Sequence, residues 1–114
     1  MTLKEKAEAL RQQKFDLCDE VDNRLKLADD LSDLNAFVRL RPDQARQKAE
    51  DVQSRIRAGK PAGPLAGTII AIKDNINIRG EFSTCGSKIL ENFRSPYSAA
   101  VINKLETADA VIIG

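Results

Sequence analysis

The 114-residue chain has no histidine. A serine or cysteine nucleophile paired with an imidazole is therefore excluded throughout it. An excess of one charge is missing too: 18 Lys and Arg face 17 Asp and Glu, a net of +1. No global field steers such a chain onto nucleic acid or an acidic membrane surface. Cysteine is scarce. Cys18 and Cys85 are neither spaced as a metal knuckle nor numerous enough for a disulfide scaffold, so they read as buried free thiols in a reducing compartment. No apolar run approaches a membrane span, and the N-terminal MTLKEKAEALRQQ is charged and helical where a signal sequence would be apolar. The expectation is a soluble, cytoplasmic protein.

What is present is 42% apolar and 31% charged residues, enough for one modest core. The charge is uneven. Residues 1–38 carry six basic and nine acidic side chains, residues 39–60 seven and three, and residues 61–114 five and five. Arg39, Arg41, Arg46, Lys48, Arg55, Arg57 and Lys60 make the middle segment locally basic. A solvated helix face explains that better than an RNA contact.

Thr2 and Glu5 have the form of a capping box, with Leu3, Ala7, Leu10, Leu17 and Val21 near one helical face. Lys14 interrupts the stripe. Asp16 is placed to cap a second helix whose inward face is Cys18, Val21, Leu25 and Ala28, and the Asp-rich stretch 29–33 then turns the chain. Pro42 suits the first turn of a third helix, in which Ala45, Ala49, Val52 and Ile56 recur at helical spacing until Gly59. Residues 1–60 thus form a helical region, and the Gly- and Pro-rich stretch 59–67 is a loop.

Beyond that loop, residues 61–114 change character. Thr68–Ile72 is a β-branched apolar run of the kind that forms a strand buried on both faces, and Ala110–Ile113 is a second one. Between them Ser98 is placed to cap a helix carrying Val101, Ile102 and Leu105. Strand, helix, strand is the opening of an α/β sheet. Two such strands need neighbours to cover their edges, and none follow, so the sequence reads as part of a larger domain.

Two nucleotide-binding readings fail. Gly80 to Lys88 has the wrong spacing and order for a P-loop, and the glycines at 59, 63 and 67 precede the strand where a dinucleotide fold would place them after it.

The stretches Pro-Leu-Ala-Gly67, Ala-Ile-Lys73-Asp-Asn, Thr84-Cys-Gly-Ser-Lys-Ile-Leu-Glu-Asn-Phe93 and Ser-Pro-Tyr97 resemble the amidase-signature hydrolases. With Leu34-Asn-Ala-Phe-Val38 upstream, they are similar to the branch of that family formed by the A subunits of glutamyl-tRNA(Gln)/aspartyl-tRNA(Asn) amidotransferases. The resemblance implies an α/β fold in which helices precede the first strands of a mixed sheet. It also implies amide hydrolysis by a serine nucleophile, a second serine with a cis peptide bond and a lysine. Both serines are implied beyond Gly114, so these residues alone are expected to be inert.

By that motif match Lys73 is the catalytic lysine. At the end of a buried strand an ammonium is poorly solvated, and desolvation favours the neutral amine that takes a proton from serine. On spacing alone, Lys73 reads as a strand-end lysine reaching into water. Asp74 and Asn75 either orient Lys73 or tie down the turn, the second being favoured because both are turn residues. A carboxylate aimed at the ammonium would oppose its use as a base. Ser83, Thr84, Cys85 and Ser87 read as turn and capping groups. No cofactor or metal ligand is expected in this stretch.

The resemblance further implies a glutaminase that delivers ammonia to a partner subunit, which amidates a misacylated tRNA with ATP and magnesium, in a complex of A, B and C subunits. Another amide hydrolase of the same family and a non-catalytic helical interaction module are the alternatives. Asp109 stands where the family usually has a glycine before the last strand. If the backbone is left-handed there, Asp is among the few side chains that tolerate it, and Asp109→Gly is expected to raise stability slightly.

Overall fold

The computed structural model describes residues 2–114. Helix α1 (Leu3–Arg11) starts with the capping box read from the sequence: Thr2 Oγ1 accepts from Glu5 N at 3.2 Å, and Glu5 Oε2 from Thr2 N at 2.6 Å. The joint at residue 14 is real. Gln13 takes a left-handed φ of 56°, ending α1, and Asp16 caps α2 (Leu17–Asp30) by accepting from Asp19 N at 3.0 Å. A short 3-10 turn, Ser32–Leu34, follows. Helix α3 (Pro42–Arg57) begins on its proline and buries Ala45, Ala49, Val52 and Ile56; Gly59 at φ 74° lies just past its end.

The inward face of α2 differs slightly from expectation. Leu17, Val21 and Leu25 are buried, whereas Cys18 and Ala28 are half-buried. Leu17 heads the helix, where its own N–H has no partner within the helix. Gln53 of α3 supplies one: its buried side-chain oxygen accepts from Leu17 N at 2.5 Å. A buried polar residue on an otherwise apolar stripe is thereby satisfied, and the two helices are fixed in register.

Strands β1 (Ile69–Ile70) and β2 (Val111–Ile112) pair in parallel, Ile69 with Val111 and Ile70 with Ile112. Helix α4 (Ala100–Thr107) lies on the crossover between them. The five-residue strand expected over 68–72 contracts to two residues in regular pairing. Its ladder continues through Val111 N to Thr68 O at 2.9 Å and Ile72 N to Gly114 O at 2.7 Å. Nor is it buried on both faces. Ile69 and Ile70 are half-buried while Val111 and Ile112 are inaccessible, because the helical layer packs on β2. Arg41 N donates to Ile113 O at 2.8 Å, which ties the segment before α3 to β2.

The main core joins both stretches of sequence: Leu10, Leu17, Val21, Leu25, Val52 and Ile56 meet Ala66, Val111 and Ile113. A smaller cluster of Ile78, Ile102 and Ile112 lies beneath α4. Ser98 does not cap that helix, which starts without a side-chain cap. Its hydroxyl instead accepts from Arg79 N at 3.0 Å, anchoring the loop before it.

Asp109 does sit in the left-handed region, at φ 68°, but its side chain overturns the stability expectation. The carboxylate is buried and accepts from Arg55 Nη2 at 2.6 Å, Arg55 Nη1 at 3.1 Å, Lys48 Nζ at 3.2 Å and Gly63 N at 2.7 Å. Burial pushes the acid up, but the Arg55, Gly63 and Lys48 hydrogen bonds outweigh it and hold its pKa at about 2. Gly63 is required at this contact, since a Cβ there would meet the Ala108 Cα at 2.9 Å. Glycine at 109 would relieve the backbone but remove the buried carboxylate, leaving Arg55 only Asp51, Lys48 only the Glu106 carbonyl and Gly63 N no acceptor, so Asp109→Gly is expected to destabilise. Among the described residues no helix is long and apolar enough to cross a membrane.

Candidate active-site cleft

Past β1 the chain crosses the mouth of an open cleft of about 600 Å³. Its walls are Phe37 and Arg39 from the segment before α3, Lys73 to Ile76, Phe82 and the Cys85-Gly86 turn. Lys73 follows the strand by way of Ile72, and a tight turn closes behind it as Ile76 N donates to Lys73 O at 3.0 Å. The desolvated environment expected for Lys73 is not found in these residues. The lysine is exposed, because β1 is half-buried and nothing in the described chain lies over the turn. None of the ion pairs among the described residues involves it.

Asp74, next in sequence, ties down the turn. One carboxylate oxygen accepts from Arg39 Nη2, the other from the Thr84 hydroxyl and from Thr84 N at 3.3 Å. Burial pushes this acid up, yet the Thr84 hydroxyl and the Arg39 guanidinium more than offset it and hold the carboxyl below its ordinary value. The Asp74 carbonyl also accepts from Cys85 N at 3.4 Å. Asn75 is exposed at the cleft mouth.

The polar side chains at 83–87 have the structural roles read for them. Ser83 is buried and donates to Asn77 Oδ1 at 2.7 Å. Thr84 holds Asp74, and Ser87 caps the 3-10 turn Lys88–Leu90 by accepting from Ile89 N at 3.3 Å. Cys85 departs from its reading as a buried thiol. It takes a left-handed φ of 52°, which turns it outward and exposes it on the cleft wall. Cys18 is half-buried, and both cysteines are free.

Phe82 pairs with Arg94 in an isolated antiparallel bridge. The Arg94 guanidinium lies 4.1 Å from the Phe82 ring centre and that of Arg39 lies 5.4 Å from it. Arg39 also donates to Phe82 O at 2.7 Å. The locally basic stretch is therefore engaged internally: Arg39 with Asp74, Arg41 with Glu81, Arg46 with Asp22, Lys48 and Arg55 with Asp109, and Arg57 with Asp16. Only Lys60 of that run has no acidic partner among the described residues, so the run is neither a plain solvated face nor an open cationic surface.

Arg39 and Gln53 are the two residues sequence reasoning undervalued. Arg39 lies 35 positions from its partner and carried no local pattern that would single it out from six other cations. Gln53 was legible in principle, as a polar residue beside Val52 on an inward face. Among the described residues no group of three His, Cys, Asp or Glu side chains is arranged to hold a metal ion.

A family model described as Amidase matches residues 21–114. The A subunit of the mitochondrial glutamyl-tRNA(Gln) amidotransferase of Ixodes scapularis is 40% identical over the whole chain, which spans 23% of that relative. The corresponding A subunit of the glutamyl-tRNA(Gln) amidotransferase of Protochlamydia amoebophila is 51% identical over 71% of the chain, spanning 17% of that relative. Among solved structures, the native peptide amidase of Stenotrophomonas maltophilia superposes on the whole chain with a TM-score of 0.91 at 28% identity, over 24% of its own length. The chain thus spans about a quarter or less of the proteins it resembles. The helices and the short parallel sheet match the fold of those neighbours over that shared portion, and the chain belongs to the amidase family.

Proposed function

We propose that these residues are the lysine-bearing front of a glutaminase, the A subunit of a tRNA-dependent amidotransferase. The observation that carries this reading is the whole-chain similarity to relatives named as A subunits of glutamyl-tRNA(Gln) amidotransferases, at 40% identity for the one from Ixodes scapularis. Identity to the peptide amidase over the same residues is 28%.

In this mechanism Lys73 takes the proton of a serine hydroxyl contributed by sequence outside these 114 residues. The serine oxygen attacks the side-chain amide carbon of glutamine, the proton held by Lys73 passes to the amide nitrogen as the C–N bond breaks and ammonia leaves, and water then releases glutamate from the acyl-enzyme. Lys73 suits this role because it stands on a turn fixed by Asp74, and none of the ion pairs among the described residues involves it. Enclosure of the cleft by the remaining sequence would supply the dry environment that the described residues do not provide. Ammonia then passes to a B subunit, which uses ATP and magnesium to amidate misacylated glutamyl- or aspartyl-tRNA, with a small C subunit completing the complex.

A second reading, hydrolysis of other amides, is favoured by the close superposition on the peptide amidase. Steady-state kinetics of the complete protein with its partner subunits, on glutamine and on a C-terminal peptide amide, separate the two. The amidotransferase reading expects kcat/KM for glutamine to exceed that for the peptide amide by about 100-fold or more, the size of discrimination available to a site built to bind a polar substrate group. The reverse preference would replace it with the second reading.

A further inference from the structure

Lys73 is followed directly by a carboxylate, an awkward neighbour for an amine that must be neutral to act as a base. The fold engages that carboxylate elsewhere. Both Asp74 oxygens are occupied, one by Arg39 and the other by Thr84, whose side chain is buried. Arg39 is itself held by a 2.7 Å bond to Phe82 O and by the Phe82 ring. It therefore cannot follow Asp74 toward the lysine without breaking both contacts.

The other charges lining the cleft are already matched. Glu81 lies 3.3 Å from Arg41 Nε and accepts from Gln44 at 3.0 Å. Asp74 is thus the cleft acid whose orientation decides what Lys73 meets.

We propose that Arg39 is a positioning residue for Lys73: by clamping Asp74 across the turn onto Thr84, it keeps the adjoining carboxylate from pairing with the lysine. Its importance for catalysis rests on the proposed function; its effect on the lysine does not. With Arg39 removed, the Asp74 carboxylate loses its charged partner and is free to pair with Lys73, the adjoining cation on the same cleft wall. The neutral amine then becomes scarcer at a given pH.

The test is the rate of reductive methylation at each lysine, read by peptide mass spectrometry at mildly alkaline pH, since only the neutral amine reacts. In the protein carrying Arg39→Met, Lys73 is expected to label at least about fivefold more slowly than in the parent, the effect of one charge pair at contact distance in water, which enclosure of the cleft can only enlarge. Exposed Lys26 should keep its rate. Arg39→Lys should keep the parental rate at Lys73, and the double variant Arg39→Met with Asp74→Asn should restore it, which a merely structural role would not do.

Thr84→Val, which removes the other clamp, should slow Lys73 in the same direction and gives the answer should Arg39→Met fail to fold. An unchanged Lys73 rate in a folded Arg39→Met or Thr84→Val protein, or no recovery in the double variant, would overturn the proposal. Because the readout needs no substrate, its failure is distinguishable from failure of the glutaminase assignment.

Discussion

The helical front and the loop-rich stretch 71–99 solve the same problem by different means. In the front, apolar stripes on α1, α2 and α3 lock into one core, and polar groups appear mainly as caps. In the 71–99 stretch regular pairing is nearly absent. Its shape comes from irregular backbone bonds such as Ser83 N to Phe93 O and Ser95 N to Glu81 O, each 2.9 Å, and from side chains bonded to backbone and to each other: Asp74 to Thr84, Ser83 to Asn77, Ser98 to Arg79 N and Arg94 to Gly80 O. Burial of apolar area is non-directional and stabilises a body, whereas a hydrogen-bonded network fixes individual atoms. Lys73, the proposed base, stands on the second kind of construction.

The sharpest way to break this comparison is in the core. Leu17→Ala removes a side chain with no solvent exposure and should cost about 2–5 kcal/mol, read as a denaturant midpoint shift that involves the whole molecule. Next comes the clasp that ties α3 to the turn before β2. Asp109→Ala removes the buried acceptor shared by Arg55, Lys48 and Gly63 N, leaving Arg55 only Asp51 and Lys48 only Glu106 O, and should cost about 2 kcal/mol after allowing for the partial exposure of both cations.

The same clasp has a pH signature. Because the Asp109 pKa is depressed from 3.8 to about 2, its contribution is fully present above pH 3.8 and is lost as pH falls toward 2. The loss amounts to about 2 kcal/mol. In Asp109→Ala that acid-labile portion should vanish from the stability profile.

Asp74→Asn keeps the side-chain shape but removes the charge from its bonds to Arg39 and Thr84. It should cost about 1–2 kcal/mol, with faster amide exchange confined to residues 73–86. Exchange that rises equally across the helical front would erase the distinction between the regions. The smallest effect is expected at the capping box: Thr2→Ala should cost about 0.5–1 kcal/mol, with fraying limited to the first turn of α1.

The same contrast explains what was legible in the sequence. Caps at Thr2 and Asp16, Pro42 at the start of α3 and the spacing of Ala45, Ala49, Val52 and Ile56 are local signals, and each element they mark is present. Two apolar runs were legible as strands from their composition, and the structure pairs them with each other in parallel. The extent and burial of the first were not, because they depend on which face the helices cover. Ser98 illustrates the limit: its local sequence suits a cap, but a backbone N–H at Arg79, 19 residues away, takes the hydroxyl. Arg39, Arg55 and Lys48 were legible only as charge, since their partners are set by the fold. Asp109 was read correctly for its backbone and wrongly for its side chain for the same reason.

The central claim is that Lys73 performs the proton transfer of an amide-hydrolysing site, and ammonia release from glutamine by the complete protein carrying Lys73→Ala tests it most directly. The account predicts a kcat lower by about 10²–10⁴-fold with the unfolding midpoint unchanged, the range for loss of a general base. Glutamine hydrolysis at the parental rate by a folded Lys73→Ala protein would contradict it.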